Sequence, residues 1–76
     1  MKEIAKIKLN RLDDVKDFVE AASRCDFDID VFYNSYIVDA KSILGVASMD
    51  LTRVLSVACQ EHDKDFERTL LKYAVT

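Results

Sequence analysis

From Glu3 to Leu9 the chain alternates, with Ala5, Ile7 and Leu9 on one side and Ile4, Lys6 and Lys8 on the other. That is the period of a half-buried strand. From about residue 11 the period lengthens: Leu12, Val15, Phe18, Val19 and Ala22 fall on one helical face while Lys16, Asp17 and Glu20 fall elsewhere, which predicts an amphipathic helix. Asn10 with Asp13 reads as its capping box, Asp standing in for the usual Glu. Alternation returns over residues 26–33, with Phe27, Ile29, Val31 and Tyr33 on one face and Asp26, Asp28 and Asp30 on the other. Asn34-Ser35 predicts a tight turn into a further strand, Tyr36 to Ala40. Ser42 is placed to cap a short helix, Leu51 to Cys59 reads as a fourth strand, and Asp63 to Ala74 as a last helix offering Phe66, Leu70, Leu71 and Tyr73 for burial.

The predicted order is therefore β-α-β-β-α-β-α. Amphipathic strands and helices in these numbers are accommodated by an α+β fold, with a four-stranded, largely antiparallel sheet and three helices on one face. The other face is expected to meet solvent, which suits Lys6, Lys8, Asp28 and Asp30. The 76 residues make one domain, 1–76, with no internal repeat, linker or low-complexity tract.

Half the residues are apolar, a third are charged and there is no proline, the composition of a chain that folds. The net charge is −3 and the basic residues are dispersed, which argues against a nucleic-acid partner. The longest apolar runs fall far short of the roughly 20 residues that span a bilayer, and Met1-Lys2-Glu3-Ile4 does not open a secretory signal, so a cytoplasmic protein without membrane contact is expected. Cys25 and Cys59 then read as reduced thiols packed like small apolar side chains. Cys59 stands three residues before His62, half of a metal site, but structural zinc needs four ligands. Asp26-x-Asp28-x-Asp30 begins like a calcium loop, yet its sixth position is Val31 and its twelfth Ile37, where glycine and glutamate are required. No cofactor or metal is expected.

The stretch Val38-Asp39-Ala40-Lys41-Ser42-Ile43-Leu44-Gly45-Val46-Ala47-Ser48-Met49 resembles a segment of HPr, the histidine-containing phosphocarrier family of the bacterial sugar phosphotransferase system. The resemblance covers nearly the whole chain and implies the family's open-faced β-sandwich. It also implies that Ser42 matches a serine that a dedicated kinase phosphorylates in some bacteria to regulate sugar catabolism. Lys41, Ser42, Leu44, Ala47 and Met49 match a surface on which the family docks enzyme I, sugar-specific components and a transcriptional regulator. Ala47 stands where the family usually has a larger residue.

The family carries phosphate on the histidine of a His-Ala-Arg-Pro turn opening its first helix. Registering the chain on Ala21-Ala22-Ser23 and on Lys41-Ser42, with no gap between them, brings that position to Arg11 and the family's phosphate-neutralising arginine to Asp13, with Asp14 beside it. An arginine stays protonated and has no lone pair to attack a phosphoryl donor, and two carboxylates repel an incoming dianion. The expectation is a relative without the phosphoacceptor, acting as a non-enzymatic regulatory or interaction module toward protein partners of phosphotransferase or catabolite-regulation type. Two other readings stay open: phosphorylation of Ser42 as a signalling input, and phosphate carriage on His62, the only histidine. A phosphate on Ser42 would sit at a helix N-terminus, with Lys41 next door to help balance it. An exposed Leu44 patch would serve a homodimer equally well, so the oligomeric state stays open.

Overall fold

The computed structural model describes residues 1–75. Its elements are β1 (Lys2–Ile7), α1 (Leu12–Ser23), β2 (Ile29–Tyr33), β3 (Tyr36–Asp39), α2 (Ile43–Ala47), β4 (Leu55–Cys59) and α3 (Lys64–Tyr73), the order expected from the sequence. The strands lie β1-β4-β2-β3 and every pairing is antiparallel. β4 lies inside the sheet, and all five of its residues are buried. Leu55, Val57 and Cys59 point to the helices, where they meet Val15, Phe18 and Ala22 of α1, Val46 of α2 and Phe66 and Leu70 of α3 in one core. Ser56 and Ala58 take the opposite face, Ser56 between Lys6 of β1 and Phe32 of β2.

Local pattern and tertiary structure part company at four places. A bulge at Ile4 breaks the register between Glu3 and Ala5, so Lys2 faces Cys59 while Ala5 faces Val57. Ile4 thereby packs against the core with Ala5 instead of sharing the face of Lys6. β2 starts only at Ile29, leaving Asp26 and Asp28 in the approach to the strand. β4 starts at Leu55, because Asp50 ties residues 50–53 into a turn by accepting from Thr52 N (3.1 Å), Thr52 Oγ1 (2.6 Å) and Arg53 Nε (3.3 Å). Finally, Leu12 and Leu71 are 57% and 76% exposed. The buried stripe of α3 runs Phe66, Thr69, Leu70 with Tyr73 half-buried, and Leu71 lies one position off it.

The hairpin turn is the one expected, with Asn34 at φ 51°, a left-handed conformation that asparagine tolerates. Past α3 the chain doubles back along the outer edge of β1. Lys8 N donates to Tyr73 O (2.9 Å), Val75 N donates to Lys6 O (3.0 Å), and Ile7 bridges Ala74. No helix among the described residues is long and apolar enough to cross a membrane.

α1 and α3 are also tied by a polar contact: the Tyr73 hydroxyl donates to Asp17 Oδ2 at 2.6 Å, and Lys72 Nζ lies 3.2 Å from the same oxygen. The Tyr73 hydrogen bond, aided by Lys72, holds the Asp17 carboxyl below its ordinary range, while burial and Asp17 push the Tyr73 phenol up. A carboxyl with a lowered folded-state pKa stabilises the fold above its unfolded value near 4, and the contribution is lost as pH falls through the folded value. Asp17 is partly exposed, so the expected size is about 1 kcal/mol or less. In urea titrations at pH 7 and pH 3, Tyr73→Phe should be less stable than the parent at pH 7 and closer to it at pH 3. A gap that stays constant would assign the loss to packing instead of charge.

Candidate functional site

α1 and α2 pack against one another, and their first turns carry most of the residues singled out from the sequence. Arg11 is the N-cap of α1, in extended backbone (φ −135°, ψ 159°). Asp14 Oδ2 accepts from the backbone N–H of Asn10 (3.0 Å) and of Arg11 (3.2 Å). The capping carboxylate is therefore Asp14, one residue later than the Asn10/Asp13 box expected, because the helix opens at Leu12 and places Asp14 third. Asp13 is left exposed, and neither it nor the Arg11 guanidinium enters an ion pair among the described residues. The start of α1 thus offers water a cation and a carboxylate, with Asp14 filling the N–H groups of Asn10 and Arg11 just before it.

At α2 the expected cap is present: Ser42 Oγ accepts from Gly45 N at 3.1 Å. Gly45 lies in a close approach: a Cβ there would be 3.1 Å from Ser42 Oγ and 3.4 Å from Val38 Cβ of β3, so the capping side chain would have to give by a few tenths of an ångström. Ser48 Oγ donates to Gly45 O (2.8 Å) and meets the Tyr36 hydroxyl at 3.0 Å, locking the far end of α2 to β3. Ser42→Ala should cost about 1 kcal/mol of unfolding free energy, measured by urea denaturation, whereas Ser42→Asp, which keeps a capping oxygen, should cost less than half of that. Equal losses would show that the hydroxyl does more than cap.

Lys41 is not free to balance a charge on Ser42. Its Nζ donates to Cys25 O at 2.7 Å, holding α2 to the end of α1. Met49 is also withdrawn from the surface: it is 4% exposed and belongs to the core, as does Val46. On α1 and α2 the exposed large apolar side chains are Leu44 at 81%, Leu12 at 57% and Ile43 at 42%, and Ala47 of α2 is exposed as well. Leu12 is one that periodicity placed inside, and Ile43 one the sequence did not single out. Each is the first residue of its helix.

His62 lies elsewhere, in a groove between β1 and α3, where its Nδ1 is 3.0 Å from Glu67 Oε2 and Glu3 and Glu61 share the lining. The structure does not bring it to Arg11, Asp13 or Ser42. Cys25 and Cys59 are buried thiols, and burial pushes both up from the ordinary thiol range. Cys59 Sγ donates to Glu61 O (3.2 Å) and Cys25 Sγ to Ala21 O (3.7 Å), as structural thiols do. No group of metal-ligating side chains is found among the described residues.

No protein-family model and no curated protein matches the chain. Among solved structures, the crystal structure of HPr-C-His from Thermoanaerobacter tengcongensis is similar, with a TM-score of 0.68 and 25% sequence identity over 95% of this chain and 89% of that one. The chain has an HPr-like fold, an open-faced β-sandwich with four antiparallel strands and three helices.

Proposed function

We propose that this HPr-like chain is a non-catalytic regulatory or interaction module that docks a protein partner of phosphotransferase or catabolite-regulation type through the first turns of α1 and α2. The observation that carries the reading is the exposure of Leu44, Leu12 and Ile43 on two helices packed together. Large exposed apolar side chains on two helices packed together, with charged Arg11 and Asp13 beside Leu12, have the composition of a docking surface. Arg11 stands at the position that the resemblance assigns to the phosphoacceptor and cannot serve as one. The place of action proposed is the cytoplasm, where such partners reside.

Exposure of Ser42 at the start of α2 favours one second reading, in which an ATP-dependent kinase phosphorylates it and so alters the docking surface. Intact mass separates the two. The purified protein is incubated with phosphoenolpyruvate and enzyme I, and separately with ATP and a kinase of the HPr serine, with a standard HPr as control. No phosphoryl gain from enzyme I supports the module. An acid-labile gain abolished by His62→Ala would overturn it in favour of a carrier, and an acid-stable gain from ATP abolished by Ser42→Ala would establish the signalling input.

A further inference from the structure

We propose that the solvent face of the sheet, away from the α1/α2 surface, binds a small organic phosphate. A bowl of about 430 Å³ opens there where β1, β4 and the β2–β3 hairpin meet. Its floor is Ser56 and Phe32, neighbours across β4 and β2, and its rim carries Lys6, Arg53, Asn34 and Val54. Two cations line it and no carboxylate does, in a chain whose net charge is −3. The groove beside His62, by contrast, includes Glu3, Glu61 and Glu67.

The polar groups of the bowl have hydrogen-bonding capacity to spare. Ser56 is only 8% exposed; its Oγ accepts from Lys6 Nζ at 3.3 Å, and its own proton has no acceptor among the described residues. That proton is available to an oxygen of a ligand seated in the bowl. Arg53 lies over the Tyr33 ring, 5.3 Å from its centroid, with Nε on Asp50 at 3.3 Å, and its terminal nitrogens have no hydrogen-bond partner among the described residues. That leaves a forked donor suited to a phosphate edge. Lys6 is paired with Glu3 at 3.0 Å, but both side chains are about half exposed, and a pair of that kind yields to a stronger partner at a cost of under about 1 kcal/mol. The bowl is larger than a bare tetrahedral anion, and Phe32 with the 44% exposed Val54 offers apolar surface for the rest of the molecule.

The test is a titration of the 15N-labelled protein with phenyl phosphate, inorganic phosphate, benzoate and sodium chloride at matched ionic strength. Saturable amide shifts confined to Phe32, Asn34, Val54 and Ser56 are expected. Phenyl phosphate should bind more tightly than inorganic phosphate or benzoate. Lys6→Gln and Arg53→Gln, both changes at exposed side chains, should each weaken it about tenfold, the loss of one charge-assisted contact. Shifts that follow chloride equally, or that survive Arg53→Gln, would overturn the site, and benzoate binding as tightly as phenyl phosphate would overturn its phosphate class.

Discussion

Phe18→Ala is expected to lower the free energy of unfolding by about 3–5 kcal/mol, the range for deleting a buried aromatic ring. Phe18 is fully buried, and its ring meets that of Phe66 at 5.9 Å and 47°, so it joins α1 to α3 over the sheet. Domains hold roughly 0.05–0.15 kcal/mol of stability per residue, or about 4–11 kcal/mol for a chain of this size. The substitution would therefore consume a third of that or all of it. Urea denaturation followed by circular dichroism measures the loss, with Phe18→Leu, which leaves a smaller void, as the milder comparison. A loss below 1 kcal/mol would mean that the two phenyl rings do not form the centre of the core.

The second large effect concerns phosphate. Arg11→His alone is expected to take up a phosphoryl group from phosphoenolpyruvate and enzyme I only slowly, whereas Arg11→His combined with Asp13→Arg should be phosphorylated at least tenfold faster. An imidazole at the N-cap supplies the lone pair, but Asp13, exposed two residues on, still opposes the dianion. Two unit charges 4 Å apart interact by between about 1 kcal/mol in water and about 4 kcal/mol at the effective dielectric near a protein surface. Replacing the carboxylate by a guanidinium changes the sign of that term, and 1.4 kcal/mol is enough for a tenfold change in rate. Intact-mass time courses decide the point. If both variants stay unmodified, the block lies in enzyme I recognition, and the charge at Asp13 is not what excludes phosphate.

The element order and the sheet were legible because the hydrophobic period switches cleanly between two and 3.6 along the chain. Ser42 as a cap was legible for the same reason, since a hydroxyl before a short apolar run has few other local uses. The departures share a cause, which is contact between residues far apart in sequence. The bulge at Ile4 is set by pairing with β4, and Lys41 is committed to Cys25, sixteen residues back. Met49 looked like surface by its match to a docking segment, but the chain turns inward after Ser48 and buries it. Leu12 looked like core because a periodic stripe does not show where the neighbouring layer stops. The acidic first turn of α1 was read correctly in kind and one residue off in register, since Asn10 and Arg11 are both chemically able to precede a helix.

The return of residues 73–75 along β1 bears on how the molecule behaves in a crowd. A strand with an unpaired edge is a template on which another chain can add. Two backbone hydrogen bonds, from Lys8 to Tyr73 and from Val75 to Lys6, close half of that template from within. The remaining half carries Lys2, Glu3 and the bulge at Ile4, which deny a newcomer a flat, uncharged edge. Residues 73–75 thus cover part of one of the sheet's two edges, that of β1, and leave a second chain less unpaired backbone on which to add there.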